Sequence, residues 1–443
     1  MAARARRDPR NGGYSGMVKL IKKGVYYTEG RIVKEAQAFF TSDKKEAAVK
    51  NTLSYAILKA HNAGDEENLR IRFDAIASHD ITYVGIIQTA KASGLKEFPI
   101  PYTLTNCHNS LCAVGGTINE DDHVFGLSAA KKYGGDYVPA HIAVIHQYMR
   151  ECAAKCGAMI LGSDSHTRYG ALGTMAVGEG GPELVKQLLR QTYDVKRPPV
   201  IAVYLKGKLR KGVGPQDVAL ALVKATFASG FVKNKILEFV GPGIANLSMD
   251  YRIGIDVMTT ETTCLSSIWE TDEKTQEYFR IHGREGDYKK LTVTQPAYYD
   301  GAVVIDLSRV EPMIALPFHP SNAYTIREFL ENPVELLKKA EEQGRKLKGD
   351  DSFTLTDKVK DGKVYVDQGV IAGCAGGGYE NVAEAAEILR GRSVGTGEFA
   401  LSVYPASQPV YKALTEGGYV GTLMEAGAVV KTAFCGPCFG AGD

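Results

Sequence analysis

Three cysteines near the end of the chain have the spacing of a shared metal site. Cys374 lies in the glycine-rich segment 373–378, and Cys435 and Cys438 flank a Gly-Pro pair. Proline cannot continue a helix and glycine frees the backbone, so the CxxC segment is predicted to be a loop that can point both thiols one way. Three thiolates are one short of the four that hold an ordinary iron–sulfur cluster. If they hold a four-iron cluster, one iron lacks a protein ligand and can act as a Lewis acid.

Other interpretations of these thiols stay open at this point. A CxxC pair alone also fits a zinc half-site, a redox pair or two unrelated core thiols. A zinc site could use Cys374, Cys435 and Cys438 together with His166. The glycines around Cys374 favour the cluster. The remaining cysteines are weaker candidates, with Cys152 and Cys156 interpreted as packing residues, Cys264 as structural, and Cys107 and Cys112 as flanking a polar loop.

A second motif joins an apolar strand to polar residues. The sequence after Leu161 reads Gly-Ser-Asp-Ser-His-Thr, which places Asp164, Ser165 and His166 at the predicted strand end. Proteins of the α/β class place their chemistry at such ends. Asp164 and His166 are two residues apart, so they share a face on an extended backbone. The alternative is that Asp164 and Ser165 cap a following helix.

Three further histidines stand in polar surroundings. His108 follows a predicted strand in a loop with Cys107, His79 precedes Asp80, and His146 lies on an amphipathic helix. Each of them, taken alone, is more typical of a structural histidine. His146 could also orient a carboxylate.

The elements that must position these residues alternate along the chain. Short Val/Ile-rich runs at 158–161, 199–205, 302–307, 368–371 and 428–430 alternate with amphipathic stretches, which predicts an α/β fold. At 443 residues the chain is too long for one simple core. We expect a flexible leader at 1–25 and domains at 26–205, 206–318 and 319–443.

Composition excludes several classes of protein. The net charge is +2, so nothing global favours nucleic acid or an anionic membrane. No apolar run reaches the ~18–20 residues that cross a bilayer. Eight cysteines in a chain of this size do not form a disulfide scaffold, which favours free or metal-bound thiols in a reducing cytoplasm.

These residues, in this order, resemble the aconitase family of iron–sulfur hydro-lyases over about residues 26 to 443. The parts that carry the resemblance are the strand ending in residues 164–167, the Gly-Cys pair at Cys374, and Cys435-Gly-Pro-Cys438. A histidine loop at His108 and a His-Gln pair at His146 add to it. The resemblance implies three α/β domains around a cluster-binding cleft, and in the family a fourth, swivelling domain closes that cleft.

The resemblance also implies residue roles. Cys374, Cys435 and Cys438 would hold a [4Fe–4S] cluster with one iron free of protein ligands. The implied catalytic residues are His108, as proton donor to the leaving hydroxyl, with Asp164, His146 and His166. The implied substrate-binding residues are His79, in the place of the family's usual glutamine, together with Asp80, Asp164, Ser165 and His166. The implied substrate is a small hydroxy-carboxylic acid.

Some positions depart from the family pattern. Cys107 replaces the aspartate that often precedes the loop histidine, so we expect the His108 ring to lack its orienting carboxylate. The sequence around Cys374 differs from the family's Gly-Ser-Cys-Thr-Asn. The family's acidic residue near 256–263 aligns with either Asp256 or Glu261. These changes indicate a divergent branch whose substrate is not citrate.

The resemblance also raises the question of partners. The family's carboxylate-binding arginines and catalytic serine come later than residue 443, so we expect the swivel domain to be absent. The chain would then be a fragment or a large subunit with a small partner, and a poor catalyst alone. The alternative function is a non-catalytic iron–sulfur or iron-sensing protein, although the near-neutral charge argues against RNA binding.

Overall fold

The structure is a computed structural model that describes residues 16–38, 42–108, 117–395 and 397–441. Within those ranges the strands are β1 (Val18–Ile21), β2 (Val25–Thr28), β3 (Arg31–Lys34), β4 (Asn68–Ile71), β5 (Ala75–His79), β6 (Tyr102–Thr105), β7 (Asp136–Val138), β8 (Met159–Gly162), β9 (Met175–Gly178), β10 (Tyr193–Lys196), β11 (Val200–Lys206), β12 (Ile236–Val240), β13 (Ser266–Trp269), β14 (Ala297–Tyr299), β15 (Gly301–Asp306), β16 (Met313–Ala315), β17 (Ala323–Thr325), β18 (Val359–Lys360), β19 (Lys363–Val364), β20 (Gln368–Ile371), β21 (Ala400–Val403) and β22 (Val429–Val430).

Helices separate most of these strands. They are α1 (Ser42–Lys50), α2 (Leu53–His61), α3 (Tyr83–Ala92), α4 (Thr117–Tyr133), α5 (Ile145–Cys152), α6 (Gly181–Leu188), α7 (Pro215–Thr226), α8 (Met249–Val257), α9 (Glu273–Ile281), α10 (Ile326–Glu331), α11 (Pro333–Lys348), α12 (Gly373–Gly376), α13 (Tyr379–Leu389), α14 (Gln408–Glu416) and α15 (Tyr419–Glu425). This order of elements confirms the predicted α/β class.

Three sheets form the framework of the site. The first has the order β7-β6-β5-β8-β9, and all its strand pairs are parallel. The second has the order β1-β15-β11-β12-β13, in which only the edge strand β1 runs antiparallel. The third is the parallel sheet β20-β21-β22. Central strands such as β8 and β12 are buried along their whole length, as expected where helices cover both faces.

The first two sheets share a hydrophobic core, and the third has its own. One cluster of buried side chains includes Ile160 of β8 and Val203 of β11, while Val382 and Leu423 pack in a separate cluster under the third sheet. Backbone contacts join the third sheet to the first, since Val144 N donates to Ala406 O over 2.9 Å. The segment after β21 is thereby held against the start of α5.

Two expectations concern the ends and loops of the chain. Val18–Ile21, inside the segment expected to be a leader, forms the edge strand β1 and pairs with β15, whereas residues 1–15 lie outside the described residues. Cys112 of the polar loop lies outside them as well. No helix in the described ranges combines the length and apolar character needed to cross a bilayer. The division into three domains at 205/206 and 318/319 stays a prediction.

Candidate active site

The candidate site lies where three neighbouring parallel strands end. Strand β5 ends at His79, β6 leads into His108, and β8 leads into Asp164. Because β6, β5 and β8 are adjacent, their carboxyl ends meet at one edge of the sheet. The His79 and His108 rings stack there, with centroids 3.8 Å apart and planes inclined by 16°. The topology thus brings together residues that are far apart in sequence.

Asp164 is the centre of this group. Its Oδ1 lies 2.9 Å from Nε2 of His146 and 3.6 Å from Nδ1 of His166. Its Oδ2 lies 3.2 Å from Nε2 of His108 and 3.5 Å from Nε2 of His79. Burial opposes ionisation, but the surrounding imidazoles hold the pKa of Asp164 well below its ordinary value. One carboxylate therefore organises four imidazoles.

Two of the buried rings around Asp164, His146 and His108, differ in protonation. Burial lowers the pKa of His146 to about 4, so this ring is neutral near pH 7. Its Nε2–H donates to Asp164, which can only accept, and the Tyr169 hydroxyl donates to its Nδ1 over 3.1 Å. Burial works against a charge on His108 too, yet Asp164 and Cys107 raise its pKa to about 10. Such divergence within one site is typical of acid–base chemistry.

His166 connects the group to an acidic residue on another segment. Its Nε2 lies 3.1 Å from Oε1 of Glu261 in the 3-10 turn Met258–Thr262. Despite burial, the hydrogen bonds to Asp164 and Glu261 raise the pKa of His166 to about 10. Asp256 instead accepts from Trp269 Nε1 over 2.8 Å and is buried. Of the two acidic candidates, Glu261 therefore faces the site.

The position where the family's orienting aspartate is replaced by Cys107 still supplies the His108 ring with a partner. The Sγ of Cys107 lies 3.7 Å from Nδ1 of His108 and accepts from Ile145 N over 3.2 Å. Burial alone would raise the pKa of Cys107, but hydrogen bonds from Cys435 and His108 hold it below its ordinary value. A thiol takes the place of the carboxylate because sulfur can also accept from an imidazole N–H.

Two predicted substrate-binding residues differ in what they expose. The carboxylate of Asp80 has no exposed surface, and its oxygens lie 3.0 Å from His108 N and 3.1 Å from His123 Nε2. Asp80 therefore fixes the backbone of the histidine loop through His108 N and does not face the substrate space. Ser165 is exposed, and its Oγ lies 3.4 Å from Nδ1 of His166. Nδ1 of His79 is buried and has no hydrogen-bond partner among the described residues.

The cysteine loops follow the third sheet in the same way as the histidines follow the first. Cys374 comes after β20, and Cys435 and Cys438 come after β22. Gly373 has φ +78°, and a Cβ on it would collide with Sγ of Cys438. Cys435 N donates to Cys107 O over 2.8 Å, and the Phe439 ring stacks on His108 with centroids 6.1 Å apart. The two cysteine segments therefore converge beside the histidines.

The three cysteines fit a cluster better than a single ion. In the part of the chain that the structure describes, the only groups with three ligand atoms within 4.8 Å of one another are Cys107-His108-Cys435 and His79-His108-Asp164. The zinc site of Cys374, Cys435, Cys438 and His166 is therefore not assembled. The three thiols are not grouped as closely as the ligands of a single ion, and three cysteine ligands with this wider separation suit a cluster of several irons. The fit rests on this donor set and on the space that Gly373 leaves for Cys438.

A buried arginine adds positive charge at this point. Arg150 is 1% exposed, and its Nη1 donates to Cys374 O over 3.2 Å. Its Nη2 lacks a hydrogen-bond partner within the described ranges. A cation here offsets the negative charge of thiolates. Sequence reasoning missed Arg150, although it stands four residues after His146 on the same face of α5.

Comparisons with known proteins show which family the sequence matches. A sequence model of the aconitase family (aconitate hydratase) matches residues 55–443. The 3-isopropylmalate dehydratase large subunit of Moorella thermoacetica is 34% identical over 286 residues, which cover 64% of this chain and 59% of that protein. The 2,3-dimethylmalate dehydratase large subunit of Eubacterium barkeri is 33% identical over 285 residues, covering 64% and 60%.

Another relative matches over more of the chain but at lower sequence identity. The mitochondrial aconitate hydratase of Schizosaccharomyces pombe is 29% identical over 391 residues, which cover 84% of this chain and 46% of that protein. The chain thus spans about three fifths of the two large subunits and less than half of the aconitate hydratase.

Proposed function

The chain belongs to the aconitase family, and from that premise we propose that it is an iron–sulfur hydro-lyase acting on a small hydroxy-carboxylic acid. The reaction would be the reversible loss of water across a C–C bond beside a carboxylate. The single observation that carries the proposal is the junction of the Asp164 histidine group with the cysteine loops, made by Cys435 N and Cys107 O. Acid–base groups and thiol ligands are there in reach of one small molecule.

Cys374, Cys435 and Cys438 would hold a [4Fe–4S] cluster. Bound there, it would supply a Lewis acid for the leaving hydroxyl through an iron without a protein ligand. Arg150 would offset the charge of the thiolates from the side of α5.

The histidines would handle the proton. His108 carries a proton near pH 7 and stacks on His79 at the strand ends, so it would protonate the departing hydroxyl. Asp164 would orient His108 with one oxygen and His146 with the other. His146 stays neutral, and its fixed tautomer keeps Asp164 in place.

Charge and exposure suggest how the substrate binds. His166 is protonated and partly exposed, so it would attract a substrate carboxylate, with Ser165 beside it. His79 would offer its unused Nδ1. Asp80 would act indirectly, because its buried carboxylate holds the backbone of His108. Because Cys107 and His79 replace the aspartate and glutamine usual in the family, we still propose that the substrate is not citrate.

We also propose a protein partner and a location. The dehydratases of M. thermoacetica and E. barkeri are named as large subunits, so this chain would work with a small subunit or a further domain that completes the cleft. Seven cysteines in the described ranges are free, which suits a reducing cytoplasm.

The test is anaerobic reconstitution with iron and sulfide, followed by assays on 3-isopropylmalate, 2,3-dimethylmalate and aconitate. The assays are run with the chain alone and with a candidate small subunit co-expressed. Water loss or addition on at least one acid, dependent on bound iron, is the expected result. A fully loaded protein that leaves all these acids unchanged, with and without the partner, would contradict the proposal.

A further inference from the structure

A second donor set lies beside the histidine loop and differs from the three cysteines assigned above. The Sγ of Cys107, the Sγ of Cys435 and a ring nitrogen of His108 lie within 4.8 Å of one another. All three residues are buried. Two thiols and one imidazole that share a buried position are donors of the kind that bind soft metal ions.

The backbone already holds this set together. Cys435 N donates to Cys107 O over 2.8 Å, which fixes the two cysteine segments relative to each other. Ile145 N donates to Sγ of Cys107 over 3.2 Å, and His108 N donates to Asp80 over 3.0 Å. Little ordering is therefore left for an ion to impose.

The distances suit one small ion. Zinc lies about 2.3 Å from sulfur and about 2.0–2.1 Å from nitrogen, so ligand atoms of a tetrahedral site are roughly 3.5–3.8 Å apart. The Cys107 Sγ and His108 Nδ1 are 3.7 Å apart without any ion. The Sγ of Cys435 lies within the same 4.8 Å limit, so a small adjustment brings the set to these separations.

We propose that the cluster-free chain binds one ion of the zinc class through Cys107, His108 and Cys435, with water as the fourth ligand. Cys435 belongs to both this set and the proposed cluster, so the two metal centres exclude each other. That second statement rests on the proposed function. Zinc bound here keeps iron and sulfide from assembling on the cysteines.

The neighbouring carboxylate group is a weaker competitor. His79, His108 and Asp164 also lie within 4.8 Å of one another, and they share His108 with the proposed site. Zinc-class ions prefer two thiolates to a carboxylate and a second imidazole. The ion is therefore assigned to the side of His108 that faces Cys107.

The experiment titrates the full, cluster-free chain with Co²⁺ under anaerobic conditions, because Co²⁺ accepts the same donors and its spectrum reports them. One equivalent is expected to give thiolate-to-cobalt charge-transfer bands and the strong visible bands of a tetrahedral site, both displaced by Zn²⁺. Cys107→Ser is expected to weaken binding by more than about 100-fold, beyond the 10–100-fold typical of losing an outer-shell partner. Cys438→Ser is the matched control and is expected to keep the signal, because Cys438 is not in the set.

Two cobalt results would overturn the proposal: unchanged binding in Cys107→Ser, or loss of the signal in Cys438→Ser. If Cys107→Ser does not fold, X-ray absorption of the zinc-loaded native chain decides. Two sulfur neighbours with nitrogen or oxygen support the site, and any other sulfur number contradicts it.

The competition is tested separately by iron uptake. Preloading the native chain with zinc is expected to slow cluster formation, and equal rates would refute mutual exclusion. A chain that takes up no iron even without zinc would count against the proposed function, while the cobalt spectrum would still report on the zinc-class site.

Discussion

The Sγ of Cys438 occupies the place where a side chain on Gly373 would begin. A Cβ built on Gly373 would collide with that sulfur, and the backbone at Gly373 has φ +78°, a region that favours glycine. Cys374 is the next residue, so the contact connects the short helix α12 to the 3-10 turn Gly436–Phe439. The thiols of Cys374 and Cys438 are thus brought to one place by the absence of a side chain between them.

Gly373→Ala should therefore impair iron binding more than stability. The new methyl group has to displace Cys438, so we expect bound iron after reconstitution to fall at least several-fold. Gly418→Ala is the matched control, since Gly418 has φ +77° and a Cβ added to it would have no neighbouring atom within 4 Å. Both variants carry a backbone cost of roughly 1–2 kcal/mol. Equal iron content in the two variants would show that the Cys438 contact is unimportant.

Asp164→Asn should slow turnover without removing the cluster. The amide keeps the shape of the side chain but has one acceptor oxygen for rings that now share two. Loss of orientation and of the raised pKa at His108 should lower the rate by about 10²–10⁴ on whichever acid the native protein converts. Asp136→Asn, the same change on an exposed residue of β7, is the control. A full rate in Asp164→Asn, or loss of iron from it, would contradict the assigned role.

His61 gives a prediction about pH and stability away from the site. Its Nδ1 lies 2.8 Å from Ile57 O and its Nε2 lies 2.9 Å from Asp74 Oδ2, and both partners are acceptors, so the ring must be protonated to make both bonds. Burial lowers its pKa, but the bonds to Asp74 and Ile57 outweigh burial and raise it, while the pKa of Asp74 is lowered.

The sign of the pH effect follows from these two shifts. The contribution of His61 is complete below its unfolded pKa of about 6.5 and is lost as pH rises through the raised folded value. The contribution of Asp74 is lost as pH falls through its lowered value. His61→Gln should thus cost about 1 kcal/mol at pH 5.5, a small figure because Asp74 is partly exposed, and less at pH 9. Thermal unfolding at both pH values checks it, and an equal loss at each would exclude the ionic contribution.

Glu238 supports the start of α2, and Glu238→Gln should destabilise the fold. Its buried carboxylate accepts from Leu53 N over 3.0 Å, Ser54 N over 2.8 Å, Ser54 Oγ over 2.6 Å and the Tyr299 hydroxyl over 2.7 Å. A glutamine has to place its NH₂ group, itself a donor, against some of these donors. We expect the free energy of unfolding to fall by about 2–4 kcal/mol. Glu46→Gln on the exposed side of α1 is the control. Urea midpoints that do not differ between the two variants would rule out this role.

Local patterns predicted much of the framework. The apolar runs at 158–161, 199–205 and 368–371 are observed as β8, β11 and β20 with ends displaced by one residue at most. Their partners were not predictable, since parallel pairing depends on contacts distant in sequence. The parallel strands β11 and β15, far apart in the sequence, show this most clearly.

In the site, too, some relationships were predictable from the sequence and others were not. The pairing of Asp164 with His146 follows the resemblance, and the structure places the two side chains 2.9 Å apart. The roles of Cys107 and Glu261 needed the structure. Cys107 can orient the His108 ring only because the fold places its sulfur beside Nδ1 of that ring. Glu261 is distinguished from Asp256 because its side chain is the one that reaches His166.

The most direct measurement counts iron and records the visible and electron paramagnetic resonance spectra of single serine variants after anaerobic reconstitution. Cys374→Ser, Cys435→Ser and Cys438→Ser are compared with Cys152→Ser, which changes an exposed cysteine outside the site. The account predicts about four irons per chain in the native protein and in Cys152→Ser, and a marked loss in the other three. Full, spectroscopically normal clusters in all four variants would contradict it.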